Sequence, residues 1–168
     1  MQDLSILEYA DSLAMSDIVM AWSVTESDAP SKFGRGDLRV IPMPHRLYRS
    51  DQAVYVHYEA YNLAPDRFGQ TNYKVSYTVR RDVRRSPGLF GAVAAGMREL
   101  FGRKEEALGV SYERICDRDG ERIYFGIEPE RLKAGWNQIE IRIDDLIGQN
   151  TVSKKAMFRM SPGPESGT

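Results

Sequence analysis

Apolar and polar side chains alternate strictly along three stretches of this chain. In residues 54–61, Val54, Val56, Tyr58 and Ala60 point one way, and Tyr55, His57, Glu59 and Tyr61 point the other. In residues 73–80, Tyr73, Val75, Tyr77 and Val79 alternate with Lys74, Ser76, Thr78 and Arg80. In residues 139–143, Ile139, Ile141 and Ile143 alternate with Glu140 and Arg142. A period of two marks strands with one face buried and one face wet, as in antiparallel sheets. Less regular strands are predicted over 17–24, 37–42, 109–116, 121–127 and 151–160.

Turn-forming residues separate these stretches. Residues 64–69, Ala-Pro-Asp-Arg-Phe-Gly, join two strands, and Pro42 and Pro44 suit a strand end where a missing N–H does no harm. Asp119-Gly120 predicts a tight hairpin, because both central residues of such a turn favour positive φ. One segment departs from the β pattern. Leu89, Val93, Met97, Leu100 and Phe101 recur at helical spacing after Ser86-Pro87, and Gly102 follows them. Ser86 can cap, Pro87 can take the first helical position and Gly102 can stop the helix. The predicted fold is therefore mainly β. It is an immunoglobulin-like antiparallel β-sandwich of about seven to nine strands with one short helical insertion near 87–101. Residues 1–160 are expected to form one domain, and 161–168, rich in Ser, Pro and Gly, a disordered tail or linker.

Charge changes this picture in one respect. The formal total is -1, without the basic excess of a nucleic-acid binder. Residues 1–31 nevertheless contain six carboxylates and no Lys or Arg, whereas 80–104 contain Arg80, Arg81, Arg84, Arg85, Arg98, Arg103 and Lys104. Two faces of opposite sign on one fold account for this, and so does a basic patch for an acidic partner or an anionic lipid surface. The single cysteine, Cys116, excludes an intrachain disulfide. Leu4–Leu13 is interrupted by Glu8 and Asp11 and does not read as a signal peptide. No apolar run reaches the roughly 20 residues of a membrane span.

The order of motifs carries a resemblance. Residues 16–21, Ser-Asp-Ile-Val-Met-Ala, are followed by Val40-Ile41-Pro42-Met43-Pro44. Next come Glu59-Ala60-Tyr61-Asn62-Leu63 at the end of a strand, and then Ala134-Gly135 before the isoleucine-rich strand. Over most of residues 16–160 this is similar to the C-terminal β-sandwich region of bacterial GWxTD-domain proteins. The Gly-Trp-x-Thr-Asp motif itself is absent, and Gly135-Trp136-Asn137-Gln138 does not replace it. Asn137 stands where a tyrosine is common. The resemblance implies an exported bacterial protein, periplasmic or envelope-associated, of which this chain is a part. It carries over no catalytic residue.

Candidate chemistry is sparse. An aromatic face with Tyr55, His57, Glu59 and Tyr61 could stack a sugar or a peptide, or could be the second buried face of a sandwich strand. His45, His57 and one cysteine offer little material for a metal site, and no cofactor motif occurs. Asp117-Arg118-Asp119-Gly120 resembles a fragment of a calcium loop without its terminal Glu, which favours a turn. Arg35-Gly36-Asp37 spells an adhesion tripeptide but fits a loop between strands. No nucleophile elbow or Walker-type loop appears. Adjacent carboxylates such as Asp144-Asp145 and Glu105-Glu106 point apart on regular structure, so acid–base convergence is not expected.

The arginine-flanked insertion is the best candidate contact surface, with Leu89, Phe90, Arg84, Arg85 and Arg98 as binding residues. The leading expectation is a non-catalytic module that binds another protein, another domain of the same chain or a second copy. A helix at an anionic membrane surface is the first alternative. The second is a carbohydrate-binding sandwich using Trp22, Trp136 or the Tyr55/Tyr61 face.

Overall fold

The computed structural model describes residues 12–27, 29–82 and 108–163. The three alternating stretches form long strands. Val54–Tyr61 is β6, Thr71–Arg81 is β7 and Gly135–Asp145 is β10. The weaker patterns also form strands: Val19–Glu26 (β2), Leu38–Pro42 (β4), Leu108–Cys116 (β8), Glu121–Ile127 (β9) and Asn150–Met160 (β11). Three two-residue strands complete the set among the described residues: Ala14–Met15 (β1), Gly34–Arg35 (β3) and Leu47–Tyr48 (β5).

These strands build two sheets. In the first, β6 is central, with β9 on one edge and β1 and β2 in succession along the other; β4 and then β3 extend the sheet beyond β2. In the second, the order is β5-β11-β10-β7-β8. Every pairing is antiparallel except β5 with β11. The architecture is a β-sandwich, as the alternation predicts. β1 and β2 are one path along β6, broken by a bulge at Ser16. There the Ser16 N–H donates to the Glu59 carbonyl and the Ser16 hydroxyl accepts the Glu59 N–H, each at 2.9 Å. The serine side chain thus replaces a ladder bond that the bulge removes.

The core lies between the sheets. Val54, Val56, Tyr58 and Ala60 of β6 are fully buried, as are Ile139, Ile141 and Ile143 of β10. Tyr48 of β5 packs edge-on against Phe158 of β11, and its hydroxyl donates to the Ala21 carbonyl at 3.1 Å, tying the two sheets together. A smaller apolar cluster, Ala21, Val24, Leu38 and Val40, gathers around β2 and β4 beside Val19 and Tyr55. Asn137 is buried and donates to the carbonyls of Lys133 and Gly135. A short side chain therefore pins the turn into β10 at the position where the resemblance leads one to expect tyrosine.

One turn differs from expectation. Asp117–Gly120 is not a hairpin: β8 pairs with β7 in the second sheet and β9 with β6 in the first, so this connection crosses between layers. Gly120 is absent from the positive-φ glycines. It serves close approach instead, since a Cβ there would sit 3.0 Å from the Ala60 carbonyl oxygen. Leu63 N–H reaches the Asp119 carbonyl at 2.8 Å, and the Thr71 hydroxyl lies within reach of the carbonyls of Cys116 and Arg118. The helix expected at 87–101 falls outside the described residues, as do residues 164–168 of the expected tail.

Candidate functional site

The outward face of β6 carries Tyr55, His57, Glu59 and Tyr61. Residues directly opposite in neighbouring strands share a face, so the register names their neighbours. Val19 of β2 and Tyr124 of β9 flank His57, Arg122 opposes Glu59, and Gly126 opposes Tyr55. The Tyr55 ring lies over Gly126, where an added Cβ would stand 3.3 Å from its Cε1 atom. The Tyr61 hydroxyl donates to Glu59 Oε2 at 2.7 Å. His57 is 2% exposed, and among the described residues neither ring nitrogen has a hydrogen-bond partner. Burial holds its imidazole below the ordinary histidine pKa.

Arg122 reaches past this row to the turn between β3 and β4. Its guanidinium occupies the space a side chain at Gly36 would need, and its Nη1 is 3.8 Å from Asp37 Oδ1. Gly36 has φ 65°, a left-handed conformation that glycine adopts without strain. Arg35-Gly36-Asp37 is thus the bend of a short ribbon, and its glycine serves both the turn and the passage of Arg122.

A half-open groove of about 610 Å³ runs from the end of β2 and this turn to the β8–β9 connection. Its walls carry Glu26, Asp37, Glu59, Asp117 and Glu121 against Arg118 and Arg122, with Tyr61 and Tyr124 beside them. Glu121 is held from the core side: the Tyr73 hydroxyl donates to it, Arg114 pairs with it, and Cys116 Sγ is 3.5 Å away. Burial pushes its carboxyl above the ordinary value. The groove offers several carboxylates and two guanidinium groups, of which Arg122 is held against the Gly36 turn, and this suits a polar or cationic surface. Among the described residues no three His, Cys, Asp or Glu side chains come together to hold a metal. No helix among them is long and apolar enough to cross a membrane.

Leu89, Phe90, Arg84, Arg85 and Arg98 lie outside the described residues. The two tryptophans are not brought together: Trp22 lies in β2 of the first sheet and Trp136 in β10 of the second. Asp144 and Asp145 do point apart. Asp144 bonds Arg142 and Thr151 on the surface, whereas Asp145 is buried. Arg122, Glu121 and the 40%-exposed Tyr124 form much of the groove, and sequence reasoning did not single them out. Alternation within 121–127 places Arg122 and Tyr124 on one face, but only the pairing of β9 with β6 sets that face beside Glu59. A scan of the chain against protein-family models finds no match, and a search among curated proteins finds none either.

Proposed function

We propose that this chain is a non-catalytic interaction module, the immunoglobulin-like sandwich of a longer, exported bacterial protein related to the GWxTD-domain proteins. Its partner is another protein or another domain of the same chain. The observation that carries this reading is how three carboxylates of the groove are engaged. Glu59 is taken by Tyr61, Glu121 by Tyr73 and Arg114, and Asp37 lies beside Arg122. Prearranged charges of both signs around a shallow opening favour orientation of a macromolecular surface over chemistry on a small substrate. The strand order β9-β6-β2 facing β8-β7-β10-β11, with crossovers from β6 to β7 and from β9 to β10, supports the immunoglobulin-like assignment.

The arginine-flanked segment around Leu89 and Phe90 remains our choice for the primary contact, because long insertions between strands are where recognition usually sits. A photo-crosslinking residue at position 90 in the full-length protein tests this. The expected outcome is a defined protein adduct that Leu89→Asp abolishes, with no pelleting on anionic vesicles. Pelleting that needs anionic lipid and Leu89 would assign the segment to a membrane surface instead. The carbohydrate reading draws support from exposed Trp22 and Tyr124, but they lie on separate strands, and Tyr55 is covered on one side by Gly126.

A further inference from the structure

An imidazole removed from water with nothing bound to either nitrogen is an expensive feature. His57 has this arrangement on the outward face of β6, wedged between Val19 and Tyr124. The charged groups facing it come from three strands. Glu59, on its own strand, favours a charged ring, whereas Arg35 of β3 and Arg122 of β9 oppose one. β2 presents Val19 and Ala21 beside it, with no charge. Desolvation and two guanidinium groups outweigh one carboxylate, so the ring is neutral near neutral pH.

One of these arginines belongs to the β3–β4 ribbon and the other touches its turn. Arg35 is part of β3, while Arg122 lies against Gly36 and pairs with Asp37. Beyond them β3 is lightly anchored, since it has two residues and among the described residues pairs only with β4, whereas β4 is laddered to β2 from Leu38 to Pro42. A proton on His57 would place a third positive charge next to both. We propose that His57 is an acid-sensitive latch whose protonation frees β3 and the Gly36 turn from β4 and Arg122. Release opens the small apolar cluster on its β4 side, at Leu38 and Val40, and gives the ring access to water.

The sign follows from linkage. The closed state prefers the neutral ring, so the latch holds above about pH 6.5, the value of an unhindered histidine, and weakens as pH falls toward the lowered value of His57. Across that interval one proton per opening event increases the open population about tenfold per pH unit.

Hydrogen exchange on the whole chain, compared as protection factors at about pH 7.5 and about pH 5, reads this directly. Val40, whose N–H bonds the Phe33 carbonyl at 2.9 Å, is expected to lose about tenfold or more of its protection. Amides of Ile139–Ile143 should keep theirs. His57→Gln should remove the pH dependence, whereas the same change at exposed His45 should leave it intact. NMR of the unaltered protein supplies a second readout, with the Ile41 amide shift expected to follow the His57 ring titration at a pH below about 6.5. Protection at Val40 that ignores pH, or that falls equally in His57→Gln, overturns the proposal. So does a His57 ring that titrates at or above about pH 6.5.

Discussion

Asp145 shows how much one side chain organises here. It is 3% exposed and accepts three backbone N–H groups: Ile147 and Gly148 on Oδ1, at 3.0 and 2.9 Å, and Ala64 on Oδ2, at 2.8 Å. One carboxylate thus shapes the β10–β11 loop and fastens it to the connection between β6 and β7. Asp145→Ala strands these donors, and we expect a loss of about 3 kcal/mol, measured by urea unfolding. Asp145→Asn keeps one oxygen acceptor and should lose less. The sequence gives no hint of this role: an Asp-Asp pair at a strand end reads as solvated charge until the distant Ala64 is brought alongside. His57 is similar. Alternation places it outward, and its flanking neighbours Val19 and Tyr124 come from two other strands that the pattern does not name.

Elements were more legible than single residues, because period two needs no partner to be recognised. β6 spans the stretch where alternation is strictest, and β7 and β10 extend theirs by a few residues at the ends. β3 and β5, two residues each, carry no pattern long enough to detect. Asp119-Gly120 misled because the dipeptide describes a local bend, whereas the choice of sheet for β9 depends on which face of Ile123 and Ile127 finds the core. β5 shows that such brief elements still matter, since Tyr48 meets Phe158 at 6.0 Å and both are fully buried. Phe158→Ala would remove the ring and leave a void beside Tyr48. It is expected to cost about 3–5 kcal/mol and to lower the melting temperature by about 10 °C, which calorimetry would register.

At the scale of the molecule, the two sheets end together on one side, where β9 closes the first and β8 the second. Their outer backbone groups have no strand beside them among the described residues. Arg114 of β8 lies opposite core-facing Tyr73, and Glu121 of β9 opposite buried Ala60, so both sit on the core side of this margin, Glu121 largely covered and Arg114 partly open to solvent. There they pair with each other. Charges turned inward along a terminal strand are a known safeguard against fusion with a foreign strand, because a docked chain would have to desolvate them. Arg114→Val removes half of the pair and leaves an apolar stripe, Val110, Tyr112 and position 114, along an open margin. The variant should scatter light within hours of concentration while the native chain stays clear. In this light the Arg114–Glu121 pair matters less for how tightly the domain holds together than for keeping neighbouring copies from zipping onto it.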